Sequence, residues 1–152
     1  MALYLREAVE EDMDLLYEWA NDAEVRKNAF HTEQIPYDTH KKWFENLLKD
    51  TETLQYILVE EAKAKEIGQI RLSLNKDRAV IDYSVDKHMR KRGFGVKMVK
   101  LVEVKLQETA KNITFLIGQV KYENAASARV FEKCGYKAYP QENYIEYRKQ
   151  IR

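Results

Sequence analysis

The sequence predicts a single α+β domain in which a mixed β-sheet carries helices on both faces. Its 152 residues are the size of one ordinary domain, and neither an internal repeat nor a low-complexity linker divides residues 1–152. Strand-like and helix-like segments follow one another in the order β-ααα-βββ-α-β-α-ββ. A short basic glycine segment, residues 90–95, stands between a predicted strand and a predicted helix. Size and element order indicate the fold class, and the glycine segment is the first candidate binding site.

The N-terminal third is predicted to form one strand and three helices. The strand covers residues 3–8. The first helix covers residues 10–20, where four apolar residues recur at helical spacing: Met13, Leu16, Tyr17 and Ala20. Asp22 can cap a short second helix. The third helix covers residues 37–49, and four large apolar residues are predicted on its inner face: Trp43, Phe44, Leu47 and Leu48.

Six further strands complete the predicted sheet. The clearest is the apolar, aromatic and β-branched run from Ala79 to Val85, which is typical of a buried strand. The run at residues 113–120 is apolar enough to be central. The predicted strands are residues 54–60, 67–74, 79–85, 113–120, 136–139 and 143–149. The first two of these are expected to pair antiparallel across a polar turn.

Two amphipathic helices lie among these strands. The first spans residues 96–108, where three apolar residues are spaced i, i+4, i+8: Met98, Val102 and Leu106. The second spans residues 124–134, and Gly135 follows it in a C-cap position. Its inward side chains are predicted to be Ser127, Val130, Phe131 and Cys134.

The composition excludes several classes of protein. Lys and Arg number 26 against 25 Asp and Glu, a net charge of +1, which gives no general field for nucleic acid or a membrane surface. The single cysteine, Cys134, cannot form an internal disulfide, so a reducing, cytoplasmic setting is expected. No apolar run approaches the roughly 18 residues of a membrane span. The three histidines show no metal-ligand spacing, so no metal is expected. Monomer and homodimer both stay open.

The glycine segment has the properties of an anion-binding loop. Gly93 and Gly95 allow the backbone to approach a ligand closely. The first amides of the following helix have no intrahelical partner and carry the positive end of its dipole. Three cationic side chains precede the first glycine: Arg90, Lys91 and Arg92. A phosphate or pyrophosphate is the expected guest, although the same residues also suit a solvated basic turn. A dinucleotide-binding G-x-G-x-x-G motif is excluded because position 98 is Met.

Two motifs in order carry a resemblance to a known family. The first is R-x-x-G-x-G at residues 90–95, between a buried strand and an amphipathic helix. The second is Asn124-Ala125-Ala126-Ser127 followed by Val130-Phe131-Glu132-Lys133-Cys134-Gly135-Tyr136. Together they resemble the acetyl-coenzyme A signature and the N-x-x-S…F-E-K-x-G-F/Y block of the GNAT acetyltransferase superfamily. The resemblance implies a mostly antiparallel sheet whose central parallel strands, 79–85 and 113–120, splay apart to admit the pantetheine arm.

The same resemblance implies which residues hold acetyl-CoA. The pyrophosphate would lie on the amides of residues 92–96, and Val85 would offer backbone groups to the pantetheine. Asn124 suits both a helix N-cap and a pantetheine contact, and Ser127 suits both a capping turn and a cofactor contact. Phe131 is expected in the core with one edge against the cofactor. The implied set is Val85, Arg90, Lys91, Arg92, Gly93, Phe94, Gly95, Val96, Asn124, Ser127 and Phe131.

The acid and base that many relatives use are missing from this chain. Relatives place a glutamate five residues before the Asn and a tyrosine seven after it, where this chain has Gln119 and Phe131. Acyl transfer to an amine still needs a route for the amine proton and a proton for the leaving thiolate. The candidates left to serve are Asp82, Tyr83 and Tyr122. Proximity alone also supplies a large factor, so the missing groups do not refute acetyl transfer.

The acceptor is expected to bind among the N-terminal helices, at Trp19, Arg26, Phe30 and His31. This stretch resembles the branch that acetylates nucleotide-linked amino sugars in pseudaminic acid synthesis, which shades into ribosomal-protein N-terminal acetyltransferases. The leading hypothesis is therefore an N-acetyltransferase for a small primary amine such as an amino-sugar nucleotide. A ribosomal-protein or peptide N-terminal acetyltransferase is the second hypothesis. The third is an acyl-CoA-binding module without catalysis, which the loss of the acid and base motivates.

Overall fold

The computed structural model describes residues 2–152 and confirms the predicted α+β class. Within these residues lie seven strands: β1 Leu3–Glu7, β2 Thr53–Glu60, β3 Lys65–Asn75, β4 Arg78–Val85, β5 Phe115–Lys121, β6 Lys137–Pro140 and β7 Tyr144–Gln150. The same part of the chain contains five α-helices: α1 Met13–Ala20, α2 Ala23–Asn28, α3 Tyr37–Lys49, α4 Phe94–Thr109 and α5 Ala125–Lys133. None of these helices has both the length and the apolarity that crossing a membrane requires.

The sheet is mixed, and its single parallel pair lies inside it. The strand order is β1-β2-β3-β4-β5-β7-β6, and the neighbours pair antiparallel except for β4 with β5. Pairing between those two strands runs from Arg78–Phe115 to Ile81–Gly118 and stops there. Since β4 continues to Val85, its last four residues have no neighbour on the β5 side. The expected splaying of the central strands is therefore present.

Local hydrogen bonding explains how the N-terminal helices begin. The Asp22 carboxylate accepts from the amides of Glu24 and Val25, so it caps α2 as the sequence predicts. The helix predicted over residues 10–20 instead starts with a 3-10 turn, Glu10–Asp12, before the α-helix proper. The Asp12 carboxylate accepts from the Val9 amide across this turn, at 2.8 Å.

Two apolar layers hold the helices against the sheet. The larger one packs α4 and α5 on one face, and it includes Met98, Val102, Leu106 and Phe131, all at most 2% exposed. The smaller one packs α1 and α3 on the other face and consists of Leu16, Trp19, Phe44, Leu47, Ile57 and Val59. Burying these side chains supplies the main stabilisation, at about 25 cal/mol per Å² of apolar surface. The splayed strands lie between the two layers.

The inner face of α3 differs from the prediction at two positions. Phe44 and Leu47 are buried, but Trp43 is 38% exposed and Leu48 is 43% exposed. The third member of the buried stripe is His40, at 2% exposure. Residues 40, 44 and 47 follow i, i+4, i+7 spacing, which centres them on the sheet. Trp43 and Leu48 lie at the two margins of that stripe, so they border solvent.

Candidate functional site

The opening between β4 and β5 leads into a cavity of about 850 Å³. One wall is the last part of β4 with Gln119 of β5, and another is the segment from α1 to α3. The N-terminal ends of α4 and α5 complete the lining, through residues such as Gly95 and Asn124. Clefts of this size, with apolar walls and a few polar groups, are typical of small-molecule and cofactor sites.

The glycine segment adopts the geometry of an anion-binding helix start. Gly93 is the N-cap of α4 with φ of +80°, a conformation that a side chain would strain. No side chain caps this helix, so its first amides stay available. Phe94 is buried beneath the loop at 4% exposure, which anchors the helix start. Gly93, Phe94, Gly95 and Val96, which the sequence analysis proposes for a phosphate, all line the cavity.

The basic side chains around this loop fall into two groups. Arg90 is occupied, because its guanidinium contacts the carboxylates of Asp22 at 2.6 Å and Glu24 at 2.8 Å. Lys91, Arg129 and Lys133 line the cavity and make no salt bridge within residues 2–152. The available positive charge therefore comes from these three side chains, two of which lie on α5. Arg92 is exposed and stands outside the lining.

Arg90 joins the glycine segment to the start of α2. Burial raises the pKa of the Asp22 carboxyl, but the hydrogen bond from Arg90 and those from the Val25 and Glu24 amides outweigh burial. The net pKa of Asp22 is lower than its ordinary value, so this carboxyl is charged at neutral pH. The helix cap and the ion pair consequently share one carboxylate, which links the start of α2 to the glycine segment.

Tyr83 places a neutral hydroxyl near the N-terminal ends of α4 and α5. Its phenolic oxygen lies 3.0 Å from the Ser127 hydroxyl oxygen, and a Cβ built on Gly95 would lie 3.7 Å from that phenolic oxygen. Burial raises the pKa of Tyr83 to about 12, although the hydrogen bond with Ser127 acts in the opposite direction. The hydroxyl is therefore protonated at neutral pH and can donate. Asn124 accepts from the Ser127 amide at 3.2 Å, so its capping role is real.

Phe131 lies deeper than the cavity wall. It is 2% exposed and packs over Gly118 of β5, where an added Cβ would approach the Phe131 ring to 2.3 Å. The predicted core role of Phe131 is therefore seen, whereas the ring is not part of the cavity lining. Val85 does line the cavity. It pairs with Gly68 of β3 and has no partner on the β5 side.

The two remaining candidates for catalysis occupy different surroundings. Asp82 lines the cavity, and its carboxylate lies 3.2 Å from the Arg71 guanidinium. Tyr122 is 49% exposed, does not line the cavity, and donates its hydroxyl to the Gln141 carbonyl. Of the three predicted residues, the structure thus brings Asp82 and Tyr83 together around β4 and leaves Tyr122 apart.

All four predicted acceptor residues line the cavity, but with different freedom to bind. Trp19 is 7% exposed and donates its indole N–H to Asp86 at 2.9 Å, so it is largely a core residue. Arg26 already donates to three backbone carbonyls, those of Ala20, His31 and Glu33. Phe30 is 53% exposed and packs edge-on against Tyr144, with ring centroids 5.6 Å apart. Arg26 thus holds the loop after α2 in place, and Phe30 and His31 are the freer members.

A polar row on the sheet was missed by sequence reasoning. Gln55, Gln69 and Ser84 occupy the face of β2, β3 and β4 that is turned toward α1 and α3, and all three line the cavity. The Gln55 amide N–H donates to the Gln69 side-chain oxygen at 2.8 Å, and the Gln69 amide N–H donates to the Ser84 hydroxyl oxygen at 3.1 Å. The available signal was the polar residues at alternating positions of otherwise apolar strands.

Two further side chains lie beside this row, and of these Arg71 was missed by sequence reasoning. Arg71 lies opposite Gln55 in the strand register and stacks over the Trp43 ring, 5.0 Å from its centroid. His40 donates from Nε2 to the Met13 carbonyl at 3.0 Å, so that nitrogen carries the ring proton. Burial lowers the pKa of His40, so the ring is neutral at neutral pH. Residues 2–152 contain no cluster of three or more His, Cys, Asp or Glu side chains suited to a metal.

Comparisons with known proteins agree with this geometry. A family model described as an acetyltransferase (GNAT) domain matches residues 2–137. The search of curated proteins finds no match. Among solved structures, an aminoglycoside acetyltransferase in complex with coenzyme A and kanamycin is similar at 18% identity and a TM-score of 0.82, covering 98% of this chain and 95% of that one.

Two other solved structures are similar to the same extent. Spermidine N-acetyltransferase from Vibrio cholerae, in complex with CoA and spermine, has 16% identity and a TM-score of 0.82, covering 96% of this chain and 92% of that one. A ribosomal L7/L12 alpha-N-protein acetyltransferase in complex with coenzyme A has 13% identity and a TM-score of 0.84, covering 99% and 95%. At such identities these likenesses establish the fold and leave the acceptor open.

Proposed function

Because the chain belongs to the GNAT acetyltransferase family and is an acyltransferase, we propose that it moves the acetyl group of acetyl-CoA onto the primary amine of a small molecule. The observation that carries this proposal is that β4 and β5 part after Ile81 and Gly118, beside the uncapped start of α4. One continuous cavity can thus take a thioester arm from the α4 side and an amine from the α1–α3 side. Family membership favours catalysis over a non-catalytic acyl-CoA-binding module.

We propose where the coenzyme A moiety binds from the positive charges and hydrogen-bond donors that line the cavity. The pyrophosphate lies on the amides that begin α4, because those amides lack partners and carry the positive end of the helix dipole. Lys91, Arg129 and Lys133 supply the available positive charge. Arg90 also lines the cavity but is paired with carboxylates, and Arg92 lies outside the lining. The pantetheine follows the unpaired edge of β4 at Val85, past Asn124 and Ser127.

Transfer forms a bond between the amine nitrogen and the thioester carbonyl carbon and breaks the carbon–sulfur bond. The amine loses one proton and the leaving sulfur gains one. We propose that Tyr83 gives the leaving sulfur its proton. Tyr83 is a neutral donor next to Ser127, and it recovers its proton from solvent. The amine proton leaves through water or through Asp82, whose carboxylate lines the cavity beside Arg71. Tyr83 thus stands in for the tyrosine that Phe131 replaces.

The acceptor side favours a molecule with one amine. Both carboxylates that line the cavity, Glu24 and Asp82, are paired with an arginine. A polyamine would therefore find no free carboxylate.

The combination of an aromatic ring and an arginine, which suits a sugar with a phosphorylated tail, is present at Trp43 and Arg71. Arg26, whose donors are occupied by carbonyls, fits this role less well than the sequence suggested. We therefore keep a nucleotide-linked amino sugar as the acceptor to test first.

A competition assay tests the acceptor. Purified protein and acetyl-CoA are mixed with a nucleotide-linked amino sugar, a peptide with a free N-terminus and spermidine, and products are identified by mass spectrometry. We expect the sugar nucleotide to be acetylated preferentially, and Arg71→Ala to raise its KM about tenfold. Arg78→Ala, which removes an arginine from the far end of β4, is the matched control. Preferential acetylation of the peptide or of spermidine contradicts the choice of acceptor, and no transfer to any amine contradicts the proposed function.

A further inference from the structure

The hydrogen bonds through Gln55, Gln69 and Ser84 run in one direction. The Gln55 amide N–H group lies 3.3 Å from the Tyr56 carbonyl and 3.4 Å from the Ile70 carbonyl, in addition to its bond to Gln69. Turning this amide over would put its oxygen against both carbonyls, so its orientation is fixed. Gln69 must then accept from Gln55 with its oxygen and donate with its nitrogen, and Ser84 must accept.

The direction of these hydrogen bonds leaves an acceptor unpaired at the Gln55 end and a donor unpaired at the Ser84 end. The Gln55 side-chain oxygen is buried and has no hydrogen-bond partner within residues 2–152. Unpaired buried oxygens are rare because they lose their hydration without replacement. A leucine at this position would avoid that penalty, so the row is not explained by packing alone. At the other end, the Ser84 hydroxyl accepts one hydrogen bond, from Gln69, and within the described chain its own proton has no acceptor.

We propose that this row is a recognition subsite that presents the Ser84 hydroxyl as a hydrogen-bond donor to an oxygen of the acceptor substrate. Ser84 lies on the part of β4 that β5 leaves unpaired, on the opposite face from Tyr83. An amine that approaches the thioester from the α1–α3 side passes beside it. Because Ser84 directly precedes Val85, where the pantetheine is proposed to lie, we place the oxygen that meets Ser84 on a carbon next to the one that bears the amine.

The charges around the subsite further narrow the class of acceptor substrate. Arg71 lies across the strand pair from Gln55, and its only carboxylate partner within the described residues is Asp82. A second ammonium group at this position would face the guanidinium and find no free carboxylate. The subsite thus disfavours a second cation, and the acceptor is a monoamine with a hydroxyl adjacent to the amine-bearing carbon. This inference rests on the proposed acetyl transfer.

A matched pair of amines tests it. Acetylation of 2-aminocyclohexanol and of cyclohexylamine is compared, because the two differ by one hydroxyl at the inferred position, and spermidine is the polycation. We expect kcat/KM for the amino alcohol to exceed that for cyclohexylamine by about tenfold, the value of one well-made hydrogen bond. Ser84→Ala should reduce the ratio to about one by lowering only the amino alcohol's value. Ser84→Thr, which keeps the hydroxyl, should restore a preference.

The controls separate recognition from folding and from catalysis. Ser73→Ala removes an exposed serine from the same face of β3, away from the row, and should leave both rates unchanged. The wild-type comparison needs no variant and stands even if Ser84→Ala folds poorly. Cyclohexylamine or spermidine acetylated as well as the amino alcohol overturns the inference, as does an equal loss for both ring amines in Ser84→Ala. Absence of transfer to every amine, with acetyl-CoA still bound, instead overturns the proposed function.

Discussion

At the scale of single residues, Tyr83 is the proposed proton donor to the leaving thiolate. Its hydroxyl is buried among helix starts, with a pKa raised by burial to about 12. A proton donor of this kind must stay neutral throughout the physiological range, and Tyr83 does so. Phe131, which replaces the tyrosine found in many relatives, is committed to packing on Gly118 and has no polar atom to offer.

Replacing Tyr83 by phenylalanine tests this role. The substitution removes one hydroxyl and keeps the ring that packs against Phe131. We expect kcat to fall by about 100-fold, the low end of general acid effects, with the Kd for acetyl-CoA nearly unchanged. Tyr122→Phe is the control, because its hydroxyl bonds to Gln141 outside the cavity. Equal losses in both variants, or none in Tyr83→Phe, would remove Tyr83 from the mechanism.

At the scale of elements, α2 is a short helix held at both ends by distant residues. Its N-terminal carboxylate, Asp22, pairs with Arg90 of the glycine segment. Near its C-terminus, Lys121 of β5 donates to the carbonyls of Lys27 and Ala29, at 3.0 and 3.1 Å. Six residues are too few for a stable isolated helix, so these contacts position the loop that carries Phe30 and His31.

Asp22→Ala removes both the cap and the ion pair. We expect a loss of about 1–2 kcal/mol in the free energy of unfolding at pH 7, measured by urea denaturation. Because the folded pKa of Asp22 is below its unfolded value, this stability is present above the unfolded pKa, near 4, and is lost as pH falls through the folded pKa. The variant and wild type should therefore converge below pH 4. Glu24→Gln, which removes only the more exposed ion-pair partner, should cost much less. A difference that persists undiminished at low pH would contradict this assignment.

At the scale of the whole molecule, the sequence predicted the fold better than the surroundings of the charged side chains. The third helix runs over the predicted residues 37–49, and the caps at Asp22 and Asn124 were foreseeable because capping is a local interaction. Arg90 is bound by residues 66 to 68 positions away in the chain, and no local pattern reveals that. The row from Gln55 to Ser84 was missed because the face that a polar strand residue occupies depends on which helices cover it.

The loop at Gly93 is proposed to bind the phosphates of acetyl-CoA, and isothermal titration calorimetry of one variant measures that binding. Gly93→Asp adds a side chain and a negative charge where the amides of α4 are free. Gly135→Asp is the matched control, since Gly135 also has a positive φ, of +85°, and lies outside the cavity lining. We predict that wild type and Gly135→Asp bind acetyl-CoA alike and that Gly93→Asp shows no binding. Unchanged affinity in Gly93→Asp would show that the phosphates of acetyl-CoA bind elsewhere.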